Sequence, residues 1–216
     1  MTLKINYLNK KKGSNKNIAV FTHQNIKMSE FNDEFDEKTT HKITNFINKN
    51  KGLKINKLFS LNTDFDEKII VIHVAKNNSN ELDFEKLGAD FFDFIKKNEI
   101  YDIYIKSPSF ESSKIYGPNY FNSFIHGANL KSYEFNFYKT KKNKKTINFF
   151  VHKLNISKKM KNLEAILSGV NLTRDLVSEP GNILHPDEYA KRLKTFKKFG
   201  LKVTIFDQKK LKKLGM

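Results

Sequence analysis

The run KIIVIHVA, Lys68 to Ala75, constrains the fold more than any other stretch of the chain. A strand with one face in water alternates apolar and polar residues. An almost unbroken apolar run marks a central strand covered on both faces. Such cover comes from helices, so the run calls for an α/β layer architecture.

Segments with helical periodicity are present to supply that cover. Asp33 to Asn50 carries Phe35, Ile43, Phe46 and Ile47 on a loose apolar side, with Gly52 where a stop is expected. Asp83 to Asn98 repeats Leu87, Phe91, Phe94 and Ile95 at helical spacing. Asn119 to Leu130 is a third helix, after a Ser-rich loop from Pro108 to Pro118. Strand-like runs lie between them: Asn17 to Thr22, Lys57 to Asn62, Tyr101 to Lys106 and Thr146 to His152. Leu3 to Leu8 alternates weakly and reads as an edge strand, followed by a polar connection from Asn9 to Lys16. No internal repeat is evident. Residues 1–152 are expected to form a mixed sheet flanked by helices.

The next segment has the clearest helical pattern. Ile156, Met160, Leu163, Leu167, Val170 and Val177 follow one another in steps of three and four, and Arg174 fills the missing place. Pro180 ends this helix, because the residue before a proline avoids the α region. A further helix opens at Pro186, with Asp187 and Glu188 at its positive end, Lys197 and Lys198 at its negative end, and Gly200 as its stop. Leu201 to Phe206 is expected to be a strand. Asp207 is expected to cap a last short helix ending at Gly215. One strand with three helices cannot close a sheet. The pattern therefore reads as an α/β domain that has only been opened.

Composition narrows the function classes. The 216 residues are 38% hydrophobic and include 20 Phe, enough for a globular core in one large domain, or in a medium domain plus part of another. There is no cysteine, which removes disulfides, thiolate metal sites and a cysteine nucleophile. The start of the chain lacks a secretory h-region and no apolar run is long enough to span a bilayer, so a cytoplasmic protein without membrane contact is expected. The net charge is +17, a field that attracts nucleic acid or anionic membrane. Only Arg174 and Arg192 are arginines, and the remaining basic residues are lysines in a chain rich in Asn, Ile and Phe. An AT-rich genome encodes that composition, and this is the preferred account of the charge.

The last third of the chain resembles the leucyl (cytosol) aminopeptidases. The residues that carry the likeness are GVNLTRDLV (Gly169 to Val177), the turn Ser178 to Asn182, the helix from Pro186, Gly200 to Val203, and the terminal Leu211, Leu214, Gly215 and Met216. GANLKSYEFNFYKTKK (Gly127 to Lys142) resembles the same family's spaced Leu, Tyr, Phe and Tyr-Lys. Residues 1–126 match only in the order of elements. Two positions depart from the pattern: Pro180-Gly181 replaces two adjacent prolines, and His185 stands where a hydroxyl residue often precedes the proline.

The resemblance implies a macro-domain-like N-terminal domain at 1–152, a linker helix at 153–178, and the incomplete start of the catalytic domain at 179–216. It implies release of N-terminal amino acids from peptides by an enzyme with two divalent metal ions, manganese or zinc, assembled as a homo-hexamer. The ions hold and activate a water and polarise the scissile carbonyl. The family's ligands lie in motifs resembling Asp-Ser-Gly-Gly and Asn-Thr-Asp-Ala-Glu-Gly-Arg. Neither occurs in these residues. No catalytic, cofactor-binding or metal-binding residue is therefore expected in this chain, and its expected role is structural or in assembly.

Other chemistry finds little support. The histidines His23, His41, His73, His126, His152 and His185 make no metal-ligand spacing. There is no Gly-x-Ser-x-Gly elbow, P-loop or dinucleotide fingerprint. Asp64, Asp66 and Glu67 read as a solvated turn. Lys10 to Lys12 and Lys139 to Lys145 are the best anion-binding runs, and solvated loops explain them more simply. Tyr133, Phe135, Phe137 and Tyr138 would suit base stacking only if exposed, and burial in a strand is the simpler expectation. Arg174, on an apolar stripe, is expected either to pair with a carboxylate of the catalytic domain or another subunit, or to snorkel at the helix end. Against the aminopeptidase reading stands a second one, a stand-alone basic macro-like module that binds nucleic acid or an ADP-ribose-like ligand. Some bacterial members of the family are also known to bind DNA.

Overall fold

The structure, a computed structural model, describes residues 2–9, 17–22, 35–50, 52–62, 68–75, 80–106, 118–140, 145–152 and 158–216. It divides into two compact units, 1–169 and 170–216.

The first unit is built on a six-stranded sheet. In chain order the strands are β1 (Thr2–Leu8), β2 (Ile18–Thr22), β3 (Lys57–Asn62), β4 (Lys68–His73), β5 (Asp102–Lys106) and β6 (Thr146–His152). Their spatial order is β1-β6-β5-β2-β4-β3. Neighbours are parallel except β3, which runs antiparallel to β4. β1 lies at one edge, as its weak alternation foretells, and β3 at the other.

The apolar run Lys68 to Ala75 is covered on both faces. Ile70 and Ile72 of β4 point into a large core with Phe84, Leu87, Phe91 and Ile95 of helix α2 (Glu81–Lys97) and Phe121, Phe124 and Ile125 of α3 (Pro118–Lys131). Ile69 and Val71 point the other way, against Ile43 and Ile47 of α1 (Glu37–Lys49). Successive strand residues face opposite sides, so an unbroken apolar run needs this two-sided cover. Each such side chain taken out of water contributes about 1.5–3 kcal/mol.

The helix starts follow from side-chain caps. Asp36 accepts from the Thr39 amide at 2.7 Å and opens α1. Asn80 accepts from the Asp83 amide at 2.8 Å, so α2 begins earlier than the expected Asp83. The far ends differ from expectation as well. Asn50 closes α1, bonding the Phe46 carbonyl with its side chain at 2.8 Å. Gly52 has no left-handed backbone and is not the stop. After α2 it is Glu99, with φ 53°, that takes the left-handed turn usually given to glycine.

Helix α4 (Lys159–Ser178) runs from the first unit into the second. Its first turns belong to the large core through Met160 and Leu163. Lys159 pairs with Glu81 of α2, and Tyr7 of β1 donates to Glu164 at 3.2 Å. The apolar stripe is not buried throughout. Leu167 and Val170 are half-buried and Val177 is 81% exposed. Ile156 lies outside the described residues.

The second unit contains the end of α4, helix α5 (Pro186–Lys194), a 3-10 turn at Thr195–Phe199, and helix α6 (Gln208–Lys213). Gly200, φ 83°, stops the 3-10 turn, and Asp207 caps α6 on the Lys210 amide at 2.8 Å, both as the sequence indicates. The strand expected at Leu201 to Phe206 is absent. A strand exists only through a partner's hydrogen bonds, and the described residues of this unit offer no second one.

Candidate functional surfaces

The histidines do not converge. His73, at the end of β4, and His126, in α3, are buried, and burial pushes both pKa values down. For His73 a 3.4 Å contact of its ring Nε2 with the Leu53 carbonyl partly opposes this, and for His126 the nearby Glu85 charge does. His41 and His185 are exposed and His152 is half-buried. His185 opens α5 without a side-chain cap, as expected of a residue lacking the hydroxyl. His23, the acidic residues Asp64, Asp66 and Glu67, and Lys10 to Lys12 lie outside the described residues. Among the described residues no three His, Asp or Glu side chains are placed to hold a metal ion. No helix among the described residues is long and apolar enough to cross a membrane.

Two surfaces stand out instead. The first is the corner after α3. Tyr133 to Tyr138 form no strand, and Phe137 and Tyr138 are 62% and 53% exposed. The expectation of strand burial is corrected here. The aromatic run makes no ladder: Phe137 and Tyr138 turn outward, while Tyr133 and Phe135 are half-buried. Phe135 packs against Phe137 and Tyr138 at ring separations of 5.3 and 5.8 Å. Glu134 anchors the corner through Lys96 of α2 at 3.0 Å and Asn136 at 3.1 Å. Of the adjoining lysine run, Lys139 and Lys145 are described, and Lys145 donates to the Tyr101 hydroxyl at 2.7 Å.

The second surface is the second unit as a whole. Neither α5 nor α6 buries a residue. Phe199, Leu201, Leu214 and Met216 are exposed along with Val177. One of its internal contacts is not legible in the sequence. Arg192 of α5 donates to Glu179 at 3.0 Å and to Glu188 at 3.4 Å. The Glu179 side chain is only 6% exposed. Residues 188 and 192 stand one helical turn apart, a readable spacing. Glu179 lies across the Pro180 turn, and no local pattern points to it. Arg174, the arginine that the sequence singles out, is half-buried on α4.

No family model matches the chain. Among curated proteins it is 40% identical to a probable cytosol aminopeptidase of Phytoplasma mali over 102 residues, 43% of this chain and 20% of that protein. It is 33% identical to a probable cytosol aminopeptidase of Rhizobium leguminosarum over 160 residues, 69% of this chain and 32% of that protein. The chain thus spans about a fifth to a third of the curated relatives it matches. Among solved structures, a tomato leucine aminopeptidase mutant shares the fold with a TM-score of 0.70 at 19% identity, over 100% of this chain and 46% of that one. The cytosol aminopeptidase of Coxiella burnetii gives a TM-score of 0.58 at 18% identity, over 96% and 41%. The bottromycin maturation enzyme BotP, in complex with Mn, gives 0.63 at 14% identity, over 93% and 40%.

Proposed function

We propose that this chain, a relative of the cytosol (leucyl) aminopeptidases over their N-terminal part, serves as the non-catalytic portion of such a peptidase. The observation that carries this reading is the agreement of two independent likenesses: sequence identity to a cytosol aminopeptidase over 69% of the chain, and the leucine aminopeptidase fold over its whole length. In this reading residues 1–152 form the N-terminal domain, 153–178 the linker helix, and 179–216 the opening of the catalytic domain. The enzyme would act on peptides in the cytoplasm, with manganese or zinc ligated by residues other than these, and would assemble as a hexamer. The exposed apolar residues of the second unit support such a role, since isolated soluble proteins rarely leave large contiguous apolar surface in water.

The direct test is hydrolysis of leucyl-p-nitroanilide by the purified 216-residue chain with added manganese or zinc. No turnover is expected. Activity that tracks the chain through purification would overturn the reading. The exposed corner of Phe137, Tyr138 and Lys139 favours a second reading, a basic binding module. Salt-dependent binding of single-stranded nucleic acid, lost in a Phe137→Ser/Tyr138→Ser variant, would support that one.

A further inference from the structure

A groove lies between α1 and the edge strand β3, on the opposite face of the sheet from α2 and α3. Lys42, Asn45, Phe46, Lys49, Leu61 and Asn62 line it, and it encloses about 320 Å³. That volume is at the lower end of the range typical of ligand pockets. The four helical residues fall at i, i+3, i+4 and i+7, so one face of α1 forms a whole wall. Phe46 and Leu61 are half-buried and make an apolar floor, while the lysines and asparagines are exposed at the rim. Phe46 is fixed by edge-to-face packing on Phe59 of β3 at 4.7 Å, and Lys57 stands over the Phe59 ring at 5.3 Å.

We propose that this groove docks an acidic, extended peptide segment of a partner protein, lying alongside β3. The occupant follows from charge and spacing. Lys42 and Lys49 are two turns apart on α1, about 10 Å along its axis. An extended chain rises about 3.3 Å per residue and presents every second side chain to the same face. Two carboxylates four residues apart, with a bulky aliphatic residue midway, then span about 13 Å on one face. The long lysine side chains cover the difference. The aliphatic residue meets Phe46 and Leu61, and the flanking carboxylates meet the lysines. Edge strands offer unpaired backbone groups to such a guest. β3 pairs only with β4 among the described residues.

The test is fluorescence anisotropy of the full chain with two labelled peptides of equal charge, Ser-Glu-Ser-Leu-Ser-Glu-Ser and Ser-Glu-Leu-Ser-Ser-Glu-Ser. The first keeps the leucine on the carboxylate face and the second moves it to the other. The first is expected to bind at least fivefold tighter. Lys42→Glu/Lys49→Glu should abolish that preference, whereas Lys212→Glu/Lys213→Glu on α6 should leave it intact. Circular dichroism checks that both variants stay folded, as is expected of substitutions at exposed positions. Equal binding of the two peptides, or equal weakening by the two double variants, would show attraction to diffuse positive charge and overturn the proposal.

Discussion

Gly88 of α2 lies directly against the backbone of Phe124 in α3, so closely that a Cβ at Gly88 would collide with the Phe124 carbonyl oxygen. One turn along, Gly127 of α3 stands in the same relation to the carbonyl of Glu85. The two helices cross backbone to backbone, each supplying the glycine that admits the other. This close crossing brings Phe84 and Phe91 together with Phe121 and Phe124 over the sheet.

Gly88→Ala and Gly127→Ala should each destabilise the first unit. The clash is with main chain, which cannot rotate away, so a cost of about 1–3 kcal/mol or more is expected. Gly169→Ala in α4 is the internal control. Nothing lies within 4 Å of a Cβ there, and alanine should favour the helix by about 0.5–1 kcal/mol. Urea unfolding followed by circular dichroism separates the three.

Arg192→Met should loosen the turn between α4 and α5. It leaves the largely buried Glu179 carboxylate without its 3.0 Å partner. The double variant Glu179→Met/Arg192→Met should recover part of the loss, because the largely buried carboxylate is then removed together with its cation. Limited proteolysis around residues 180–186 gives the readout. Faster cleavage in the single variant than in the double one is expected.

Acid should weaken the first unit. Burial holds the pKa values of His73 and His126 below the ordinary histidine value of 6.5. The unfolded chain takes up protons at these sites before the folded one does. Their contribution is present above pH 6.5 and is lost as pH falls below it. The urea midpoint should fall between pH 7 and pH 5, and His126→Gln should flatten that slope. An unchanged slope in His126→Gln would remove His126 from the account.

The second unit should bind hydrophobic dyes and drive self-association. Val177→Ser/Phe199→Ser should lower both effects and leave the unfolding of the first unit within about 0.5 kcal/mol, since both side chains are largely exposed. Dye fluorescence and light scattering check this.

Local pattern determined much of this protein. The central strand, the helices α1, α2 and α3, the stop at Gly200 and the cap at Asp207 all depend on residues a few positions apart, and periodicity records such relations. The family likeness was legible for the same reason, in contiguous runs such as Gly169 to Val177. The tertiary structure decided what pattern cannot hold. It turned Phe137 and Tyr138 outward, because an aromatic run becomes a strand only if a neighbour pairs with it. It left Leu201 to Phe206 unpaired for the same reason. It joined Glu179 to Arg192 across a proline turn, and set Gly88 against Phe124 from a distant helix. Each of these depends on which backbone arrives alongside, and a residue's own neighbours in sequence carry no record of that.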